Sequence, residues 1–488
     1  MTKVHFPLLL AALLLVTACS ASVDVVSDNQ ATVERPTTES AAQDPSPSAE
    51  PPADAPEPTP EPTPEPTAEP TPTPTPLPPG AITVTDTDAV GEVGDDALSL
   101  VEGVALANGR LTMGELSDSE LAFVTGAPGP TNTDTITVDV PPETPIVLPG
   151  GNVWIVELFN NSGDTILGGG ATLSGGLEEQ GVSDNVMLIG SSDLRISGFV
   201  FERVTNAIAI ESAGRQLEAI TIEDNAFRNI AIRDIALLNS LSGGSLDDIT
   251  VRGNSFDAPE RLSDLRTFVA VRGGESLGEE PTEDTFIENV SITDNTMNAQ
   301  GGTVGTCISI FGGHVPFGQP GRVTGAIVTG VDLSGNALNG CTTAIDIAGA
   351  MVQQTNGSVT DSAVTQVSIM GSTINVGSTG VRIHGGWVAP APPSFGVTSA
   401  TAASVTGNRV ERITLESSVL SAFDVGLQLV GGAFDVDGNG AAEMNRVAEV
   451  TGVDLTFDGL GAVCTATADV GAPATANALE ATCDALTP

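Results

Sequence analysis

The sequence predicts an all-β solenoid that follows an unstructured, proline-rich stalk, and two repeated patterns carry that reading. A six-residue phrase recurs as Ile220-Thr-Ile-Glu-Asp-Asn225, Ile249-Thr-Val-Arg-Gly-Asn254, Val290-Ser-Ile-Thr-Asp-Asn295, Val331-Asp-Leu-Ser-Gly-Asn336 and Ala403-Ser-Val-Thr-Gly-Asn408. Its first and third positions are apolar or small and those between them polar or small, so one face of a strand points inward before the chain reaches the same turn. A second apolar triplet follows in most repeats: Ile208-Ala-Ile210, Val269-Ala-Val271, Ile308-Ser-Ile310, Ile345-Asp-Ile347, Val381-Arg-Ile383 and Leu427-Gln-Leu429. Short strands separated by turns, repeated along the chain, form rungs that bury their apolar faces only by stacking.

The elements follow in order. Lys3 supplies a positive charge and Leu8 to Val16 an apolar run too short to span a bilayer, which reads as an export signal over residues 1–18. Val16-Thr17-Ala18-Cys19 resembles the lipobox of bacterial lipoproteins, which implies lipid attachment at Cys19 and an exported chain held at the cell surface by acyl chains. Residues 19–80 are rich in Pro, Thr, Ala and Glu and cannot build a core. Alternating proline favours polyproline II, and at ~3 Å per residue the segment would be a spacer on the order of 100 Å long. The expected folded parts are an N-terminal cap with first rungs (81–180), the main solenoid (181–461) and a C-terminal cap (462–488).

The chain carries 62 acidic residues against 17 basic ones, a formal net charge of -45. Lysine is absent after Lys3 and tyrosine is absent altogether. Such a balance opposes nucleic acid and anionic lipid, since phosphates are bound by displacing counterions with Lys and Arg. Membrane contact is expected only through the anchor, and the chain is expected to be a monomer. With Cys19 assigned to lipid, four cysteines remain in an exported chain, which favours disulfides. Of the three pairings, Cys307 with Cys341 on successive rungs and Cys464 with Cys483 as a C-terminal clasp are preferred.

Within the rungs, the apolar residues two places after the turn Asn (Phe227, Phe256, Met297, Leu338 and Val410) are expected to point inward. Val367 to Ser372 reads as a further copy with Ser for Asn, Val453 to Asp458 as a last copy with Asp, and Leu194 to Ser197 as the start of an earlier rung. The turn positions Asn225, Asn254, Asn295, Asn336, Ser372 and Asn408 are then spaced by 29, 41, 41, 36 and 36 residues, as in a coil with loops of varying length at fixed corners. Gly273-Gly274, Gly312-Gly313, Gly385-Gly386 and Gly431-Gly432 are expected to mark the corner from which those loops leave.

Taken together the rungs resemble the right-handed parallel β-helix family, the pectate-lyase-like solenoids, over roughly residues 181–461. The resemblance implies stacked turn asparagines whose amides bond along the stack and satisfy buried polar groups. Leu98-Ser-Leu-Val-Glu-Gly-Val-Ala-Leu-Ala-Asn108 resembles the Cys-Ser-Leu-Arg-Glu-Ala motif of bacterial surface β-helix proteins, with Leu98, Val101 and Gly103 departing from it. Asp134 to Val138 and Gly170 to Gly175 resemble the elements that follow it there. The segment would cap the open first rung, which otherwise offers an edge.

The candidate chemistry lies on the second strand. Ser309, Asp346, Arg382 and Gln428 take the same outward position on successive rungs, with His384 two residues beyond Arg382 and His314 on a neighbouring loop. Asp346, Arg382 and His384 are the candidate catalytic residues, because β-helix enzymes acting on acidic polysaccharides work from an outer groove with carboxylates and cationic groups. An ion pair between Asp346 and Arg382 is the plainer expectation. The lack of lysine and the scarcity of aromatics that could stack on sugars (Trp387, Phe311, Phe317, Phe395) both weigh against an enzyme. Asp435, Asp437 and Asn439, with Gly440 at the sixth position, resemble the start of an EF-hand calcium loop, although Arg446 stands where the closing carboxylate belongs. Apart from Ca²⁺ there, no cofactor is expected.

The leading expectation is a lipid-anchored surface β-helix that binds a polysaccharide or another envelope ligand without catalysis. The alternatives are a polysaccharide lyase or glycoside hydrolase on the same scaffold, and a purely structural rod.

Overall fold

The computed structural model describes residues 78–483 except 150–153, 160–162, 176–184, 259–265, 279, 301–303, 317–319, 354–355, 390–398, 401–402, 423, 435–436, 439–440, 459–460, 472–473 and 482. Cys19, the expected signal and almost all of the expected stalk lie outside the described residues, as do Asp435, Asn439 and the side chain of Asp437.

Period-two strands dominate, and nearly all of them pair in parallel. They form a thirteen-stranded sheet A, ten-stranded sheets B and C and a six-stranded sheet D, with a two-stranded ladder between Ser399–Ala400 and Asp437–Gly438. In sequence the chain visits A, B and C and then returns to A, one strand further along each time. From Thr282 onward it visits D before returning. Such crossovers coil right-handedly, and the architecture is a right-handed parallel β-helix. The exception is Val124–Thr125, antiparallel to Ala81–Val84 at the N-terminal end.

The parallel ladder already begins at Ala81–Val84, paired with Thr135–Val138. Over this first rung lies helix α1 (Leu100–Ala107), started by a capping box in which the Ser99 hydroxyl accepts from the Glu102 N–H and the Glu102 carboxylate accepts from the Ser99 N–H. A Cβ at Gly103 would stand 3.2 Å from a Val84 methyl and 3.3 Å from an Ile82 methyl. The glycine lets the helix lie close on the apolar layer and shield the end of the coil.

The apolar triplets align as expected. Ile208, Ile235, Val269, Ile308, Ile345, Val381 and Leu427 stack in sheet C, including an Ile235-Ala-Leu237 rung. In sheet B, Phe201, Phe227 and Phe256 stack with ring centroids 5.1 and 4.8 Å apart, and Met297, Leu338, Ile374 and Leu420 extend the column.

The turn ladder differs from the expected one at its end. Asn225, Asn254, Asn295, Asn336, Ser372 and Ser418 form one continuous chain of bonds, in which each backbone N–H donates to the next side-chain oxygen. Asn408 belongs instead to a second ladder, Ser362, Asn408, Asn445 and Asn477, at the corner from sheet D to sheet A. The expected copy at Ala403 to Asn408 is therefore a sheet D strand (Ser404–Thr406), and the last interval is 46 residues. Val410 sits with Val364 and Val447 in sheet A, and Leu420 takes the inward place assigned to it. The last rung is shifted too: Val450 pairs with Ile413, so Val453 to Asp458 straddles sheets A and B.

Sheet A explains why the pattern was ambiguous. Each longer strand has an earlier inward residue, such as Leu217, Leu246, Ile287 or Val328, then one residue in the left-handed region, then the recognised pair. Ala219, Asp248, Asn289, Gly330, Gln366, Arg412 and Glu449 occupy that bulge with φ between 51 and 66°. One inserted residue lets both halves of the strand face the core.

The paired glycines lie inside strands and not at loop exits. Sheet C strands lengthen from six residues (Arg233–Leu238) to eleven (Thr343–Gln353, Thr379–Ala389), and the glycines sit where the strand crosses from the main core to a second one. A Cβ at Gly312 would lie 2.5 Å from the Gly349 carbonyl oxygen and 2.8 Å from the Ala363 nitrogen, so side chains are excluded there. Beyond the crossing, Val315, Ala350, Val352 and Val388 pack on Val323, Val359 and Val405 of sheet D.

Two disulfides are present. Cys307 is bonded to Cys341 with Cα atoms 5.8 Å apart, and Cys464 to Cys483 with Cα atoms 5.7 Å apart.

Candidate functional site

Because strand residues alternate, the middle residue of each sheet C triplet faces outward. The register brings Ser309, Asp346, Arg382 and Gln428 into one row across neighbouring strands, as the sequence implied. Two residues along, Arg272, Phe311, Ala348, His384 and Val430 form the adjacent row.

Arg382 forks onto Asp346, with Nε donating to Oδ1 at 3.1 Å and Nη2 to Oδ2 at 2.6 Å. Asp346 is only 2% exposed. Burial works against its charge, but the Arg382 guanidinium outweighs it and holds the carboxyl below the usual aspartate range. Arg382 also lies 4.4 Å over the Trp387 ring, which stacks on His384 at 4.9 Å with planes 7° apart. His384 is buried, and neither ring nitrogen has a hydrogen-bond partner. Burial pushes its pKa down to about 3, and the Arg382 charge acts in the same direction.

His314 is a strand residue, within Thr306–Val315, and joins a different group. Its Nδ1 is 2.9 Å from Glu275 Oε1, and Arg233 forks onto the same carboxylate at 3.1 and 2.6 Å. Burial opposes the Glu275 charge, but Arg233 and the His314 bond keep the group well below the ordinary glutamate range. An ionised carboxylate accepts, so the imidazole donates from Nδ1–H. Burial lowers its pKa to about 4 despite the Glu275 bond.

Between the two groups lies Arg272, which sequence reasoning missed. It donates from Nη1 to the Val271 and Ser309 carbonyls at 3.0 Å, and from Nη2 to the Ser309 hydroxyl at 2.8 Å. Its guanidinium sits 4.0 Å over the Phe311 ring. Burial, reinforced by Arg233, pushes its pKa down to about 9. The signal was available, because Arg272 follows Val271 in the same row that His384 occupies after Ile383. Glu275 and Arg233 carried no such mark, since their partnership depends on the strand crossing at the glycines.

The chemistry open to this face is narrow. Hydrolysis of a glycoside needs one protonated and one ionised carboxyl about 5–10 Å apart, whereas Asp346 and Glu275 are both held ionised by arginine. Burial raises the pKa of Asp134 near the first rung, of Asp234, pushed up to about 7 despite its Arg266 partner, and of Glu211 on the outer side of sheet C. Glu211 stands four rungs from Asp346, roughly 19 Å at the usual strand spacing. Among the described residues no group of three or more His, Cys, Asp or Glu side chains is arranged to hold a metal ion.

Fold and face together define a parallel β-helix with an outer strip of internally paired charges. No protein-family model matches the sequence, and no curated protein matches it. Similar solved structures include the crystal structure of PfbA, a surface adhesin of Streptococcus pneumoniae, at 13% identity and a TM-score of 0.30, covering 78% of this chain and 91% of that one. The A-module of Azotobacter vinelandii mannuronan C-5 epimerase AlgE4 is similar at 10% identity and a TM-score of 0.19, covering 80% and 100%. That of AlgE6 is similar at 10% identity and 0.17, covering 69% and 91%.

Proposed function

We propose that the protein is a lipid-anchored cell-surface β-helix that binds glycans or other envelope partners along its outer faces without transforming them. The observation that carries this reading is the state of the Asp346, Arg382 and His384 group. Its carboxylate is saturated by a two-point arginine contact, and its imidazole is neutral, buried and without a proton-transfer partner. Acid–base catalysis requires a group within reach of substrate and poised near the working pH, and this group meets neither condition. Surface placement rests on the lipobox at Cys19 and the proline-rich segment after it.

One observation favours the lyase alternative: the depressed pKa of Arg272 brings a guanidinium closer to serving as a base on the face that holds Asp346 and Arg382. Screening the purified chain against acidic and neutral polysaccharides, with binding and product release both recorded, separates the readings. Binding without turnover supports the proposal. Turnover abolished by Arg382→Ala or Arg272→Ala overturns it in favour of the lyase, and neither binding nor turnover leaves a structural rod.

A further inference from the structure

A second outer face, that of sheet A, carries an open depression of about 450 Å³ lined among others by Thr329, Thr365, Arg409, Glu411, Arg412 and Arg446. Three arginines gather there in a chain with 17 basic and 62 acidic residues. Arg409 and Arg446 are register partners on adjacent strands, an arrangement that like charges disfavour unless each is balanced. Arg446 is balanced, by Glu411 at 2.8 Å and Glu480 at 2.6 Å. Arg409 and Arg412 have no acidic partner among the described residues, whereas seven other described arginines have one. Arg412 occupies the bulge column at φ 60°, and its side chain is exposed.

We infer that this depression is an oxyanion-binding site for acidic glycans, with Arg409 and Arg412 as the recognising residues. A guanidinium forks onto a carboxylate or sulfate, and these two stand on the strand beside Thr365, with Glu411, the partner of Arg446, between them in register with Thr365. Thr365 Oγ1 donates to Thr329 Oγ1 at 3.0 Å, and Thr329 Oγ1 donates to Gln366 Oε1 at 3.1 Å. Guanidinium and hydroxyl groups on adjacent strands match a chain that carries both anionic substituents and sugar hydroxyls. An acidic peptide would instead need apolar recesses for its other side chains, and the depression offers Met444, which is 61% exposed. The inference rests on the glycan-binding reading above and adds its place and ligand class.

The test uses the full chain with polygalacturonate, dextran sulfate, unsubstituted dextran and poly-glutamate as probes. The first two distinguish carboxylate from sulfate as the source of the anion. The Arg409→Ala/Arg412→Ala variant is compared with Arg228→Ala/Arg322→Ala, which removes the same charge from other exposed positions. Expected is binding of one or both acidic glycans, weakened about tenfold or more in the first variant, the loss of two charge-assisted bonds. The second variant should bind within about twofold of wild type, with both melting as wild type does. Equal weakening in the two variants, binding carried by poly-glutamate in place of the glycans, or glycan binding unaffected by Arg409→Ala/Arg412→Ala overturns the site. A wild-type chain that binds no glycan overturns the broader reading as well, so the two failures are distinguishable.

Discussion

Arg382 grips Asp346 at two points while its own guanidinium lies over Trp387, so one side chain joins a buried carboxylate to an aromatic stack. Removing it strands the charge. Arg382→Ala should lower stability by about 3 kcal/mol in urea unfolding, as when one partner of a buried pair is lost. Arg382→Lys should recover part of this, because an ammonium cannot fork. Asp346→Ala/Arg382→Ala should be more stable than Arg382→Ala alone. Wild-type stability in Arg382→Ala would show the pair to be superficial.

The buried histidines make stability depend on pH. His384 and His314 have pKa values near 3 and 4 in the fold, below the ordinary 6.5 of the unfolded chain. On acidification the unfolded state therefore takes up these protons first, so the histidines' contribution is full above about pH 6.5 and is lost as pH drops from there toward 4, while Asp234, raised to about 7 by burial, takes up its proton in the fold and offsets part of that loss. The slope approaches about 1.4 kcal/mol per pH unit for each histidine. Below that window the depressed carboxylates Asp346 and Glu275 add their own loss as pH falls through their folded values. His384→Phe should remove one histidine's share between pH 6.5 and 4, as measured by urea midpoints; an unchanged profile would contradict a buried neutral imidazole.

The turn ladder should be costly to interrupt in its middle. Asn295 Oδ1 accepts from the Asn254 N–H at 3.0 Å, and Asn295 Nδ2 donates to the Val251 carbonyl at 2.9 Å. Asn295→Ala leaves both without their partner and should cost about 3 kcal/mol. Asn295→Ser should cost less, because Ser372 and Ser418 already serve in the same ladder. Equal losses would mean that the hydroxyl cannot substitute there.

The first glycine of each crossing, including Gly349 level with Gly312, should tolerate no side chain, whereas the second place already holds Ala350 in register with Gly313. At Gly349 a Cβ would meet the Arg409 nitrogen at 2.8 Å and its carbonyl oxygen at 2.9 Å, backbone atoms that cannot swing aside. Gly349→Ala should lower the melting temperature sharply or prevent folding, whereas at Gly278, where nothing lies within 4 Å, the same change should be neutral. Comparable melting of the two variants would place the crossing elsewhere.

The sequence by itself determined the rungs, because a buried strand face must be apolar at every second residue and a stacked turn must hold an amide or hydroxyl. Those local demands are written at Ile220, Ile222 and Asn225, and again in the Val381-Arg382-Ile383 row that places Arg382 over Asp346. Only the tertiary structure decided which turn Asn408 joins, since a strand of sheet D and one of sheet A obey the same alternation and differ only in their neighbours. It also decided that the paired glycines are crossings, that Glu275 binds His314 and Arg233 across three strands, and that Arg409 and Arg412 have no acidic partner among the described residues beside a balanced Arg446. Contacts of this kind run between rungs tens of residues apart, and their spacing is set by loops whose lengths follow no period.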